Sequence, residues 1–434
     1  MDSTPDLAAV LPEAAALGAR LFDDLLAATR DPAGGVTRAS YGEGEQAAHA
    51  IVARQARAMA LEVSQDAALN TYLTWPGADR SAPRLVIGSH LDSVRCGGNF
   101  DGAAGVVAGL SAVRLLQQSG WRPPADVTVM GVRAEESAWF QTSYIGSRAA
   151  LGRLGTAALQ ARRVDTGRTL AEHLRECGGE PDRLHGRPPH LHPGNVCAYL
   201  EVHIEQAPAL VHAGRPLAVG AGIPGNFRHP WVRIVGETAH VGLARRYRSD
   251  ALVAACALIA ELDALWARWE AAGRAMAFTV GRLHTDAGND AMTKVAGEVG
   301  LSLDMRAWDP ADLDELEHEL SVIARAVSER YRVRFEWGER TTAPVARCAP
   351  AIQAELRDCT RRTGAAGPDL PSPASHDAAE FAAAGIPMGL LLIRNEHGSH
   401  NPAESLAPSD FQHAVQVLTL WLMHTRCWTN WSSP

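Results

Sequence analysis

Residues 85–118 read LVIGSHLDSVRCGGNFDGAAGVVAGLSAVRLLQQ and carry the strongest structural signal in the chain. The apolar run Leu85–Ile87 predicts a buried strand, which a polar, glycine-rich loop follows. From Val106 to Leu116 apolar residues recur at nearly helical spacing, so residues 103–118 predict an amphipathic helix. A strand, a loop and a helix in this order are typical of a sheet in which strands and helices alternate.

The same alternation recurs elsewhere in the chain. Apolar runs predict further strands at 127–132, 198–202 and 389–393, and helical or loop segments separate them. Strands separated by helices favour a mostly parallel sheet covered on both faces. We therefore predict an α/β, doubly wound domain made of residues 1–222 and 343–434.

Residues 223–342 show a different order of elements. The predicted elements are a strand at 231–235, a helix at 249–271, strands at 276–280 and 299–305, a helix at 310–330 and a strand at 333–337. This βαββαβ order predicts a self-contained α+β domain inserted into the first domain.

The composition is that of a globular protein. Of 434 residues, 46% are hydrophobic and 21% are charged, which excludes a wholly disordered chain. The net charge of −8 gives no general attraction to nucleic acid or to an anionic membrane. No apolar run reaches the roughly 18–20 residues that span a bilayer, and the N-terminus lacks the basic region of a signal peptide. We expect a cytoplasmic protein without nucleic-acid or membrane partners.

Candidate metal ligands follow the predicted strands. They are His90 after the first strand, Asp101 just before the helix, Glu135 and Glu136 after 127–132, His203 at the end of 198–202, and His400 beyond 389–393. A single histidine or aspartate at a strand end is usually structural, but the whole set is hard to obtain by accident. Because the carboxyl ends of parallel strands meet at one edge of a sheet, these side chains are expected to converge. Imidazoles and carboxylates together suit divalent Zn, Mn, Co or Ni.

The number of ligands favours two metal ions per subunit. Three histidines and two carboxylates can hold two ions if one carboxylate bridges them, and such a pair activates a water molecule. Successive residues of an extended chain point in different directions, so one of Glu135 and Glu136 can bind metal while the other acts as general base. Asp92 is either a surface acid or the partner that orients the His90 imidazole. We expect Zn or Mn, with Co and Ni as alternatives.

Six motifs occur in the same chain order as in a known family. They are GSHLDSV with GGNFDG, AEES, HIEQ, TAHVG, SHDA and GSHNPAE. The chain resembles the N-carbamoyl-L-amino-acid hydrolase family, which includes β-ureidopropionase and allantoate amidohydrolase. That family belongs to the aminoacylase-like metallopeptidase superfamily, and the resemblance runs from Gly34 to Glu404.

The resemblance implies roles for the candidate ligands. It makes Asp101 the bridge between the two metals and Glu135 the general base. The other implied ligands are His90 and His203 for one metal, and Glu136 and His400 for the other.

The resemblance also implies a homodimer built through the inserted domain, which would serve as a dimerisation and lid domain. His240 of TAHVG would then reach the active site of the other subunit and help to hold the oxyanion. Gln206, His376 and Arg306 match positions that contact the substrate, and Arg306 would bind its carboxylate. Without the resemblance, Asp304 and Arg306 would be a surface ion pair.

Three departures from the family pattern concern the substrate. The segment after TAH is 241–246, VGLARR, where the family has AGTTPM. Thr293 stands in place of an Asn that would help to bind the substrate, and Asn289 is a nearby substitute. Trp139 replaces an Arg, which predicts a more apolar pocket. The reaction class therefore follows from the sequence more firmly than the substrate does.

The predicted activity is hydrolysis of the C–N bond of an N-carbamoyl or related N-substituted amino acid, a small molecule that bears a carboxylate. An alternative is an N-acyl amino acid or amide with a more apolar acyl group, which Trp139 and Thr293 favour. A third alternative is a catalytically silent metal- or carboxylate-binding protein. The general base Glu135 counts against it, because a binding protein has no use for one.

Overall fold

The structure is a computed structural model that describes residues 7–429; residues 1–6 and 430–434 lie outside this range. The N-terminal segment on which the signal-peptide prediction rests therefore lies partly outside the described residues. The chain divides into two compact units. The first joins the segment that ends at Ile223 to the segment that begins at Arg347, and the second is Pro224–Ala346.

The first segment of the first unit alternates helices and strands. In chain order these are α1 (Leu7–Thr29), α2 (Glu43–Ala58), β1 (Glu62–Gln65), β2 (Thr71–Trp75), β3 (Arg84–His90), α3 (Ala103–Gln118), β4 (Val127–Val132), α4 (Ser137–Phe140), α5 (Ile145–Ala150), α6 (Leu170–Glu176), β5 (Val196–Ile204), α7 (Ala209–Ala213) and β6 (Leu217–Ile223).

The second unit is an antiparallel sheet with two long helices. Its elements are β7 (Gly225–Val235), β8 (Ala239–His240), α8 (Ala251–Ala271), β9 (Met276–Thr279), β10 (Leu283–Thr285), β11 (Lys294–Val295), β12 (Glu298–Ala307), α9 (Pro310–Tyr331), β13 (Arg334–Glu336) and β14 (Thr341–Ala343). The main sheet has the order β10-β12-β7-β13. Helix α8 begins two residues later than the sequence predicts, because the Asp250 side chain accepts the Val253 N–H and caps the helix there.

The chain then returns to the first unit. The remaining elements are β15 (Ala346–Arg347) at the boundary of the units, α10 (Pro350–Arg362), β16 (Asp369–Pro371), α11 (Ala378–Ala383), β17 (Met388–Ile393) and α12 (Pro408–His424).

The sheet of the first unit runs in the order β1-β2-β4-β3-β5-β17-β6, and its centre is parallel. Strand β3 pairs in parallel with both β4 and β5, and β5 pairs in parallel with β17. Antiparallel pairs lie towards the edges, at β1-β2, β2-β4 and β17-β6. The prediction of a mixed α/β fold with a mostly parallel central sheet is confirmed.

The core of the first unit lies between this sheet and helices α1, α3 and α12, which pack on one another. Leu110 of α3 and Trp421 of α12 are fully buried there. Burying one such large apolar side chain stabilises the fold by about 1.5–3 kcal/mol. No helix within residues 7–429 is long and apolar enough to cross a membrane.

Candidate metal centre

Four neighbouring parallel strands, in the order β4-β3-β5-β17, end at one edge of the sheet. His90 is the last residue of β3 and His203 the last but one of β5. Glu136 follows β4, and His400 follows β17. The fold therefore brings together candidate ligands that lie far apart in the sequence.

The first group of candidate ligands consists of His90, Asp101 and His203, all buried. Nε2 of His203 lies 3.3 Å from Oδ1 of Asp101, and Nε2 of His90 lies 3.9 Å from the same oxygen. The two Nε2 atoms are 3.4 Å apart. Three ligand atoms thus face one point.

The second group consists of Asp101, Glu136 and His400. Nε2 of His400 lies 3.2 Å from Oδ2 of Asp101 and 3.3 Å from Oε1 of Glu136. Asp101 therefore turns one carboxylate oxygen to each group. This is the arrangement that a carboxylate between two cations would have.

The orientation of the imidazoles tests whether the first group fits a cation. Nδ1 of His90 lies 3.0 Å from the carbonyl oxygen of Asp92, and Nδ1 of His203 lies 2.9 Å from that of Ile204. A carbonyl only accepts, so each Nδ1 carries the hydrogen and each Nε2 of a neutral ring presents a lone pair. Lone pairs of two nitrogens and one carboxylate oxygen that face one another repel, and a shared cation removes that repulsion. The donors therefore fit a divalent metal.

The electrostatics of the site also favour a cation. Burial lowers the pKa of His203 to about 4. Burial also disfavours the charged form of His400, but hydrogen bonds to Asp101 and Glu136 outweigh it and raise the pKa of His400 to about 11. Burial opposes the ionisation of Asp101 too, yet contacts with His400 and His203 hold the pKa of that carboxyl far below its usual value. The carboxylates of Asp101 and Glu136 thus stabilise positive charge at the position of His400.

Asp92 connects the loop after β3 with the loop after β4. Its Oδ1 accepts the backbone N–H of Glu135 and its Oδ2 accepts that of Glu136, both at 3.1 Å. Its Oδ1 also lies 3.4 Å from Nδ1 of His90, and Ser40 donates to Oδ2 at 2.7 Å. One buried carboxylate thus sets the positions of an imidazole and of both glutamates.

Glu135 belongs to neither group of described ligands, although its neighbour Glu136 does. Burial and the negative charge of Glu136 raise the pKa of the Glu135 carboxyl well above its usual value, against the opposing effect of His90. The two adjacent glutamates are therefore in different environments.

Gln206 and His376, predicted to contact the substrate, both lie beside these groups. Nε2 of Gln206 donates to both carboxylate oxygens of Asp101 at 3.1 Å, and its Oε1 is buried without a hydrogen-bond partner. The ring of His376 lies 4.3 Å from that of His203, and its Nε2 is 2.7 Å from Oγ of Ser372.

Three residues around the site have left-handed backbone conformations that non-glycine residues rarely adopt. Ala134 has φ 51°, Gln206 has φ 63° and His400 has φ 61°. Such a conformation costs about 1–3 kcal/mol and persists where surrounding contacts enforce it. The N–H of Ala134 donates to Glu45, and that of Gln206 donates to Asn395. The surroundings therefore force the chain into the turns that aim these side chains.

Four predicted site residues lie in the second unit: His240, Asn289, Thr293 and Arg306. His240 is exposed in the short strand β8, and its Nδ1 accepts the N–H of Gly242 at 3.1 Å. The carbonyl of Thr293 accepts the N–H of Val241, and Oδ1 of Asn289 accepts from Lys294. Backbone pairing between β8 and β11 thus places Thr293 beside the segment that follows His240.

Arg306 shares its carboxylate partner with a second arginine. Nε and Nη2 of Arg306 donate to Asp304 at 3.1 and 3.0 Å, and Nε of Arg228 donates to Asp304 at 2.8 Å. Burial raises the pKa of Asp304, but the two guanidinium groups outweigh it and the pKa is lowered. Asp304 therefore holds two guanidinium groups side by side.

The interpretation of Trp139 as a residue that makes the pocket apolar is wrong. Trp139 is only 6% exposed and packs in a core cluster with Tyr41 and Phe140. Its indole N–H donates to the carbonyl of Ser93 at 2.8 Å. The side chain therefore supports the loop after β3 from within the core.

Sequence reasoning missed two buried acids next to the predicted ligands. Glu201 accepts the hydroxyl of Ser89 and the N–H of Ala378, and burial raises its pKa to about 8. Asp377 accepts from Ser147, and burial raises its pKa to about 7. Glu201 was detectable, because it lies two residues before His203 in a strand and so shares its face.

The chain matches the model of peptidase family M20/M25/M40 over residues 86–424. An N-carbamoyl-L-amino acid amidohydrolase of Geobacillus stearothermophilus is 33% identical over 401 residues, which cover 90% of this chain and 94% of that protein. A ureidoglycolate hydrolase of Arabidopsis thaliana is 28% identical over 411 residues, with 92% and 84% coverage. The crystal structure of a hydantoinase/carbamoylase family amidase from Burkholderia ambifaria is 29% identical with a TM-score of 0.77, with 94% and 96% coverage. The family match spans every residue of both candidate ligand groups.

Proposed function

Because the chain belongs to peptidase family M20/M25/M40, we propose that it is a two-metal amidohydrolase that cleaves the C–N bond of an N-carbamoyl or related ureido amino acid. Membership confirms the resemblance drawn from the motifs and makes the chain a hydrolase of C–N amide bonds. It removes the alternative of a catalytically silent binding protein. The relatives with N-carbamoyl amino acid and ureidoglycolate activities in their names support the substrate class.

The observation that carries the proposal is that Asp101 belongs to both groups of candidate ligands. Its two oxygens face two separate groups, one with His90 and His203 and one with Glu136 and His400. A single-metal site would need only one of these groups. Two divalent ions held by these two groups would activate water and polarise a carbonyl group.

In the proposed reaction Glu135 accepts a proton from the attacking water and later delivers it to the leaving nitrogen. Asp92 keeps the backbone of Glu135 in place through its N–H. For an N-carbamoyl substrate the products are an amino acid, carbon dioxide and ammonia.

Five of the predicted site residues would bind the substrate. Gln206 offers its buried, unpartnered Oε1 as an acceptor for the amide hydrogens of a ureido group. Arg306, oriented by Asp304, would bind the substrate carboxylate. His376 would contact the substrate beside His203, and Asn289 or Thr293 would contact its amide or carboxylate end.

We further propose a homodimer in which His240 of one subunit helps to hold the oxyanion in the other. Mixed dimers test this directly. A Glu135→Gln subunit and a His240→Ala subunit are each inactive alone, but their heterodimer holds one site with both residues. Recovery of activity on mixing supports the proposal. A mixture as inactive as its components, although the mixed dimers have formed, contradicts it.

The central test is Glu135→Gln with Glu136→Gln as its matched control. We expect Glu135→Gln to retain the fold and two metals per chain, measured by elemental analysis, and to lose several orders of magnitude in turnover. Glu136→Gln should lose one metal. Full turnover in Glu135→Gln would contradict its role, and an empty or single-metal wild-type chain after loading with Zn or Mn would contradict the two-metal site.

A substrate panel separates the proposed activity from its alternative. N-carbamoyl, N-acetyl and N-aryl-acyl amino acids differ only in the group that is removed, and release of ammonia or amine is measured for each. We expect the N-carbamoyl compounds to be turned over with the highest kcat/KM. Trp139 was one of two residues that favoured a substrate with an apolar acyl group. Because Trp139 is buried in the core, it no longer favours that alternative.

A further inference from the structure

Glu404 lies four residues after His400, in the loop that follows β17, and is buried. It is the last residue of the motif GSHNPAE, and the sequence assigned it no role. Neither candidate ligand group of the described residues contains it. Its contacts nevertheless all lead to Asp101.

The two carboxylate oxygens of Glu404 have different partners. Oε1 accepts the backbone N–H of Phe100 at 2.9 Å and that of Asp101 at 3.1 Å. Oε2 lies 2.7 Å from the hydroxyl of Ser399, and the same hydroxyl lies 2.9 Å from Oδ2 of Asp101. The hydroxyl of Ser399 has one hydrogen, so it donates to one of these two carboxylates at a time. Glu404 is therefore tied to Asp101 directly at the peptide N–H and, through Ser399, to the Asp101 carboxylate.

These contacts join two loops that carry ligands. Phe100 and Asp101 belong to the loop before α3, whereas Ser399 and His400 belong to the loop after β17. The sheet cannot fix the distance between these loops, because each lies beyond the end of a strand. Glu404 supplies that connection.

The surroundings of Glu404 are built around its carboxylate. A Cβ on Gly98 would lie 2.0 Å from the carboxyl carbon of Glu404, so only a glycine fits there. The buried guanidinium of Arg38, held by the side chain and carbonyl of Asn99, interacts electrostatically with Glu404, whose negative charge favours the charged form of the guanidinium. A buried carboxylate with three hydrogen bonds and a cation nearby is a fixed part of the structure.

We propose that Glu404 is a positioning residue that sets Asp101 between the two ligand groups and ties it to the loop of His400. This inference rests on the proposed two-metal function. Glu404 acts through Asp101 and Ser399 and touches neither metal nor substrate. Its loss should weaken metal binding while the sheet and the core stay folded.

The chemistry of the contacts predicts that glutamine can replace Glu404. An amide oxygen at the position of Oε1 accepts the same two N–H groups, and an NH2 group at Oε2 donates to the oxygen of Ser399. The single hydrogen of the Ser399 hydroxyl is then available for Asp101 alone. Alanine removes all three contacts.

The test compares metal dissociation constants of four variants, measured by competition with a chromogenic chelator, with Zn as the metal. We expect Glu404→Ala to raise the dissociation constant about 10–100-fold, the usual cost of losing a residue that orients a ligand. Glu404→Gln should stay within a few fold of wild type, and Ser399→Ala should lie between the two.

Glu355→Ala is the matched control. Glu355 also accepts three hydrogen bonds, from Trp421, Thr425 and the N–H of Arg426, but at the end of α12 away from the ligands. We expect it to lower the melting temperature and to leave the metal dissociation constant unchanged. The visible spectrum of the Co-loaded protein should change in Glu404→Ala and Ser399→Ala and stay constant in Glu355→Ala.

Two results would overturn the inference: Glu404→Ala binding Zn as tightly as wild type, or Glu404→Gln binding as weakly as Glu404→Ala. If Glu404→Ala does not fold, Glu404→Gln and Ser399→Ala decide the question in the same way. A wild-type protein that binds no metal would instead overturn the proposed function, so the two failures are distinguishable.

Discussion

The replacement Asp92→Asn should damage the metal site more than it damages the fold. The Asp92 carboxylate accepts the N–H groups of Glu135 and Glu136, one with each oxygen. An asparagine has one acceptor oxygen, so one of these N–H groups would face an NH2 group and lose its partner. A hydrogen bond to a charged group contributes about 1.5–3 kcal/mol, and a buried unsatisfied donor costs about 1–3 kcal/mol. We expect the free energy of unfolding to fall by about 2–4 kcal/mol.

The effect on metal binding should be additional to this loss of stability. Moving the Glu136 backbone displaces one candidate ligand, and weakening the contact with Nδ1 of His90 frees a second. Losing such a partner typically costs about 10–100-fold in metal affinity. The assay is urea unfolding in the presence of a chelator, combined with a metal titration against a chromogenic competitor.

Asp126→Asn is the control for Asp92→Asn. Asp126 is a buried acid of the same unit that accepts the N–H of Gly77 and pairs with Arg80. We expect this control to lose stability without any change in metal affinity. If Asp92→Asn bound metal as tightly as Asp126→Asn does, Asp92 would not organise the site.

Three further predictions concern buried residues of the first unit. Burial and Arg133 hold the pKa of His49 well below its usual value. Unfolding therefore takes up a proton, and the stability falls as the pH drops below about 6.5. Urea unfolding at pH 7.5 and 5.5 should show a smaller loss of stability for His49→Gln than for wild type, and an equal loss would contradict this. Trp139→Phe removes the hydrogen bond to Ser93 and should cost about 1–2 kcal/mol of unfolding free energy. The order in which the enzyme prefers the compounds of the substrate panel should stay the same. A changed order would place the indole in the substrate pocket. Gly102 has a φ of +65°, and a Cβ added by Gly102→Ala would lie 2.5 Å from the His90 ring. The ring must then move, so titration calorimetry should show a marked loss of metal affinity. Unchanged affinity would argue against His90 as a ligand.

The parts of the fold with a strong apolar pattern were predictable. Helix α3 and strand β4 have the bounds that the sequence predicts, because apolar runs with polar borders define them. The hairpin β1-β2 was missed, since β1 is a short, largely exposed edge strand of polar residues (EVSQ) that has no alternating pattern. Edge strands of this kind are set by their neighbours in the sheet.

The site shows the same division. The convergence of the candidate ligands was predictable because each follows a strand end, and parallel strands bring their ends together. The residues that hold the ligands were not, since a carboxylate such as Glu404 or Asp92 binds backbone N–H groups whose positions only the fold defines. For Trp139 the prediction relied on its alignment with a family position, which suggested a place in the substrate pocket. In the structure Trp139 is buried in a core cluster, and its indole N–H donates to the carbonyl of Ser93.

The order of strands in the sheet also has a consequence for biosynthesis. His90, Asp101, Glu136 and His203 are translated early, but β17 and His400 are translated only after the whole of Pro224–Ala346. A nascent chain therefore contains all three residues of one candidate ligand group but only two of the three residues of the other until the segment with β17 and His400 has been synthesised. In the finished sheet β17 lies between β5 and β6. A chain that terminates before β17 would leave β5 and β6 without the strand that pairs with both, a gap in the sheet that proteases and chaperones can detect.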